Sequence, residues 1–105
     1  MFHEAIKVIV VTEKFVQDRV CSLIESCGGK GYTLVSAGGK GFHHLHATDD
    51  KASVVEGFGN IKIEVIVRDR EIADAIASSV MDQVFGQYPG IIYLEQVEVW
   101  REERF

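Results

Sequence analysis

Ile61-Lys62-Ile63-Glu64-Val65-Ile66-Val67 is the stretch from which the fold can be worked out. Ile61, Ile63, Val65 and Val67 alternate with Lys62, Glu64, Ile66 and Arg68, a period of two that sends the two sets to opposite faces of a strand. Asp69 follows as a helix N-cap. Ile72, Ala73, Ile76, Ala77, Val80 and Val84 then recur at helical spacing, until Gly86 and the only proline, Pro89, break the run. A last strand is predicted over Ile91 to Trp100. Strand, helix, strand is the unit.

The same unit stands earlier in the chain. Ile6 to Thr12 is β-branched and apolar, and Thr12 with Glu13 reads as a helix cap with an acidic first turn. Val16, Val20, Leu23, Ile24 and Cys27 then fall on one helical face, Gly28-Gly29 stops the helix, and a second strand runs from Tyr32 to about Ser36. The order β-α-β, loop, β-α-β predicts an α+β, ferredoxin-like βαββαβ sandwich, residues 1–105 forming a single domain with a long loop over 38–59. Both faces of this sheet carry apolar residues: Ile6, Val8 and Val10 point one way, Ile9 and Val11 the other. Two helices cover only one face, so the other is expected to be covered by further copies of the chain, with ligand sites at their boundaries.

The loop opens with Gly38-Gly39-Lys40-Gly41. Glycines let main-chain N–H groups approach an anion closely, and Lys40 adds a positive charge. The spacing is not that of a P-loop, so nucleotide hydrolysis by that route is not indicated. His43, His44 and His46 follow, with Asp49 and Asp50 behind them. Imidazoles so spaced can ligate Zn²⁺ or Cu²⁺, which makes a metal-binding module the alternative reading. Nucleophilic catalysis has little to build on, because Ser36 and Ser53 lack a histidine–aspartate frame; an acyl-phosphate hydrolase on this sandwich would want an arginine and an asparagine around an anion loop, and Asn60 is the only asparagine. The chain is read as no enzyme, with no catalytic residue and no cofactor. The C-terminal Arg101 and Arg104 are two guanidinium groups able to clamp phosphate.

A net charge of −5 argues against nucleic acid as a partner, since such a protein usually carries a basic stripe. The balance of 47% hydrophobic and 26% charged residues is that of a soluble globular domain. Neither a membrane span nor a signal peptide is seen, so a cytoplasmic location is expected. Cys21 and Cys27, six apart on one helix, point to different faces and are expected to be free thiols.

Four features together resemble the PII signalling proteins over nearly the whole chain. They are the strand Ile61 to Val67, the lead-in Lys30-Gly31-Tyr32-Thr33, the glycine-rich opening of the loop, and Gly90-Ile91-Ile92-Tyr93. The resemblance is strongest to the PII-like branch associated with bicarbonate transporters and carboxysomes. It implies a homotrimer that binds adenine nucleotides between subunits and signals through its loop. By that resemblance Thr33 and Glu64 lie near adenine, and Gly38, Gly39, Lys40 and Gly41 wrap the phosphates. Gly90, Ile91, Ile92 and Tyr93 close the cleft, and Arg101 and Arg104 approach from the tail. Ile91 stands where the usual PII turn has a lysine, which favours AMP or ADP. No tyrosine lies between Gly38 and Asn60, so uridylylation there is excluded. The absence of glutamine from the loop sets it apart from nitrogen sensors that bind 2-oxoglutarate. Bicarbonate is expected as a second ligand, and a bicarbonate transporter or carboxysome component as the partner, with carboxysome association.

Overall fold

The computed structural model describes residues 1–39 and 59–100. Strand β1 (His3–Glu13) leads through a 3₁₀ turn (Lys14–Val16) into helix α1 (Gln17–Ser26) and strand β2 (Tyr32–Ala37). Strand β3 (Asn60–Val67), helix α2 (Arg70–Gln83) and strand β4 (Gly90–Val99) repeat the pattern. The strands form one sheet in the order β2-β3-β1-β4, every neighbour antiparallel. This is the ferredoxin-like α+β arrangement that the doubled unit predicts.

Register follows from the alternation. Val8 stands opposite Val65 and Val10 opposite Ile63, so the buried residues of the two central strands share the face on which the helices lie. Val16, Val20 and Ile24 from the first helical segment meet Ala73, Ile76, Val80 and Val84 from the second on that face, all buried. β-Branched residues suit this layer because their stiff side chains pack well on a pleated surface. Asp69 caps α2 as expected, its Oδ1 accepting from the Ile72 N–H at 3.1 Å. Gly28, at φ +107°, ends α1 in a conformation that only glycine adopts without strain.

Thr12 departs from expectation. It is not a cap: it lies within β1, fully buried, and its hydroxyl donates to the Pro89 carbonyl at 2.9 Å. The 3₁₀ turn and α1 begin without side-chain caps. A hydroxyl on the buried face of a strand finds its acceptor across the sheet, and here it pins the turn before β4. Both cysteines are free, and Cys27 Sγ lies 3.4 Å from Ser79 Oγ between the helices. Among the described residues no helix is long and apolar enough to cross a membrane.

The same turn explains Gly90. A Cβ there would lie 2.2 Å from the Phe85 ring and 2.8 Å from the Val11 carbonyl oxygen, and the backbone atom cannot step aside. Gly90→Ala is expected to lower stability by about 1–3 kcal/mol, as overpacking does. Chemical denaturation of the variant beside the wild type measures it.

Candidate functional site

Three rows of side chains cross the face of the sheet that the helices leave open. Thr33, Glu64, Ile9 and Tyr93 stand in register through all four strands. Val35, Lys62, Val11 and Ile91 form the row nearer the loop, and Ala37, Asn60 and Glu13 lie at the loop end. Alternation puts apolar and charged groups side by side here. Ile9 is buried even on this face, while Val35, Ile91 and Tyr93 are exposed.

Charge on the open face is arranged as a ladder. Lys7 Nζ lies 3.2 Å from Glu95 and 3.9 Å from Glu64, and Lys62 Nζ lies 3.4 Å from the same Glu64 oxygen. Glu64 is therefore held from both sides through Oε2. The hydrogen bond to Glu95 raises the Lys7 pKa above the usual lysine value; burial opposes the shift, and Glu64 adds to it. At their exposure such pairs contribute little stability, so what they supply is the orientation of the Glu64 carboxylate.

Among the residues expected to bind, Thr33 and Glu64 are cross-strand partners. Gly38 and Gly39 follow β2 directly at the loop end, and the space about a Cβ at Gly39 is open. Ile91 and Tyr93 point to the open face. Ile92 packs against the core on the helix side, and Gly90 lies under Phe85. β2 and β4 are opposite edges of the sheet, three strand spacings or ~14 Å apart. One chain therefore sets Thr33 beside Glu64, with Gly38 and Gly39 farther along at the end of the same edge strand, and begins the opposite edge strand with the Gly90 turn. Lys40, Gly41, Arg101, Arg104 and the histidines His43, His44 and His46 lie outside the described residues. Among the described residues no group of three or more histidine, cysteine or acidic side chains is placed to hold a metal ion.

Sequence reasoning missed the pairing of Lys7 and Lys62 with Glu64, read Thr12 as a cap, and noted Asn60 only as the lone asparagine. Lys62 was legible as the neighbour of Glu64 on its own strand face. Lys7, a lone charge in an apolar run, acquires meaning only from the register that sets it between Glu64 and Glu95.

A family profile described as nitrogen regulatory protein P-II matches residues 5–104. A PII-like signalling protein from Thermus thermophilus is 30% identical, with a TM-score of 0.74 over 93% of this chain and 90% of that one. CPII, a PII-like protein from Thiomonas intermedia, has been solved bound to ADP, AMP and acetate; it is 22% identical, with a TM-score of 0.80 over 100% of this chain and 97% of that one. CPII bound to ADP, AMP and bicarbonate gives 20% identity and a TM-score of 0.76 over 97% and 99% of the two chains.

Tyr32, one residue before Thr33, ties the β2 edge to α1: its hydroxyl donates to Glu25 at 3.1 Å. Hydrogen bonds to Cys21 and then Glu25 push its pKa up to about 12. Burial likewise raises the Cys21 thiol. Because the folded-state value exceeds the unfolded one, this contribution is full below the ordinary tyrosine pKa and is lost as pH rises from there toward about 12. Ultraviolet titration of the phenols is expected to show a late-ionising tyrosine that Tyr32→Phe removes.

Proposed function

The chain belongs to the nitrogen regulatory protein P-II family, and from that premise we propose that it is a non-enzymatic regulator that binds an adenine nucleotide between copies of itself. The observation that carries this reading is the division of the candidate residues. Thr33, Gly38 and Gly39 belong to the β2 edge with Glu64 on the strand beside it, and Gly90 to Tyr93 belong to the β4 edge. Copies packed head to tail set the β2 edge of one chain against the β4 edge of the next, and a ring of copies repeats that junction at every boundary. A trimer is the ring proposed.

Two further features support an interface. β2 is an edge strand without a charged residue, Tyr32 to Ala37, with Leu34 and Val35 exposed on its two sides. Natural edge strands usually carry charge or proline when they face water. Exposed Ile91 and Tyr93 on the other edge offer matching apolar surface.

Within the cleft, Glu64 accepts from the exocyclic amine of adenine, and Thr33 lies beside it. Gly38, Gly39, Lys40 and Gly41 hold phosphate, Gly90 to Tyr93 close the far side, and Arg101 and Arg104 add charge from the tail. Isoleucine rather than lysine at Ile91 leaves fewer charges for a third phosphate, which favours AMP or ADP. Bicarbonate is the second ligand. The loop engages a partner in inorganic-carbon metabolism, a bicarbonate transporter or a carboxysome component. Unequal affinity of the nucleotide for two loop states supplies the coupling.

Calorimetric titration with AMP, ADP, ATP and cyclic AMP, each with and without bicarbonate, tests the reading. AMP or ADP is expected to bind best, with tighter binding when bicarbonate is present; silence with every adenylate rejects the proposal. Lys40→Ala is expected to weaken binding about tenfold, the worth of one hydrogen bond to a charged group. Ile91→Glu is expected to shift the sedimentation of the protein from trimer to monomer and to abolish nucleotide binding with it.

A further inference from the structure

Asn60 is the only asparagine in the chain, and it begins β3 where the loop rejoins the sheet. Its side chain is buried, with the residue 6% exposed, and its Oδ1 has no hydrogen-bond partner among the described residues. The neighbours on the sheet explain why. In register it stands between Ala37 on β2 and Glu13 on β1. An alanine side chain has no donor, and an ionised carboxylate only accepts. Lys62, next along the same face, is engaged with Glu64 at 3.4 Å.

A buried acceptor left unmade costs the desolvation of that group, and an apolar side chain of the same size would avoid the cost. Local rules broken in this way concentrate at functional sites. The position agrees with that: Ala37, the cross-strand partner of Asn60, directly precedes Gly38 and Gly39.

We propose that Asn60 Oδ1 accepts the O–H of a bicarbonate ion bound at the base of the loop, so that the site selects a small anion carrying a hydroxyl. This rests on the adenylate-and-bicarbonate reading above. Bicarbonate has one O–H donor and two oxygens that share its charge. The donor meets Asn60, and the charged oxygens face the glycine N–H groups that follow Ala37. An ion without the hydroxyl, such as acetate, keeps its two charged oxygens on the glycine N–H groups but sets a methyl group against Asn60 Oδ1, which leaves that acceptor unpaired. Asn60 is thus a selectivity residue for the second ligand, and its discrimination comes from one hydrogen bond.

The test compares wild type with Asn60→Leu, titrating ADP alone, with bicarbonate, and with acetate. In the wild type, bicarbonate is expected to tighten ADP binding about tenfold and acetate to do much less, as one hydrogen bond to a charged group allows. Asn60→Leu is expected to bind ADP alone as the wild type does, to lose the bicarbonate effect, and to melt at a higher temperature. The proposal is overturned if the variant keeps the bicarbonate effect, if acetate serves as well, or if bicarbonate has no effect on the wild type. Weakened binding of ADP alone by Asn60→Leu would also overturn it, assigning the acceptor to a ribose hydroxyl instead. A second measurement stands apart from nucleotide binding and from the folding of the variant. Bicarbonate alone is expected to shift the side-chain amide resonances of Asn60 in the wild-type protein, acetate is not, and no shift with bicarbonate overturns the proposal. If ADP fails to bind while that shift is present, the adenylate reading falls and the anion site stands.

Discussion

The pairing of β1 with both of its neighbours is the constraint on which the other placements depend. Val8 lies between Val65 and Leu94, and Val10 between Ile63 and Ile92, so one strand sets the facing of every residue on the sheet. A slip of one residue along β3 would carry Ile61, Ile63, Val65 and Val67 to the open face and set Lys62 and Glu64 against the helices. The cost of burying those charges excludes it. Because that register is firm, Thr33 meets Glu64, Lys7 meets both Glu64 and Glu95, and Asn60 lies at the loop base.

The two faces of the sheet have different chemistry. The helix side is a largely apolar layer in which valine, isoleucine and alanine predominate. The open side interleaves isoleucine, valine and tyrosine with a ladder of two lysines and two glutamates. In water such a ladder contributes little. Covered by another chain, each member depends on its partners, since removing one strands a charge in a low-dielectric setting. A face of this kind tolerates exposure and also favours specific association, because a mismatched partner would leave charges unpaired.

The loop base and the turn at the opposite edge gather features that local stability alone would not select. Gly90 lies where no side chain fits, Thr12 commits its hydroxyl to the carbonyl before it, and Asn60 buries an acceptor without a donor among the described residues. The first two define the position of the turn at one sheet edge. The third makes a polar demand at the base of the loop. The core holds these strand ends in register.

Alternation over Ile61 to Val67 and helical spacing over Ile72 to Val84 determined the element types and their order, because these periods record which side of each element must leave water. Asp69 as a cap, the glycine stop after Cys27 and the two-sided apolar sheet were likewise legible, each resting on local chemistry within a few residues. What the tertiary structure decided was partnership across distance. Thr12 looked like a helix cap and is a buried strand residue bonded to Pro89, since its acceptor lies 77 positions away in the chain. Lys7 had no reading, and Asn60 counted only as the lone asparagine, until register set them beside Glu64, Glu95, Ala37 and Glu13. The separation of Thr33 and Gly90 to opposite sheet edges came from strand order, which depends on how the two halves of the chain pack together and not on the period of either one.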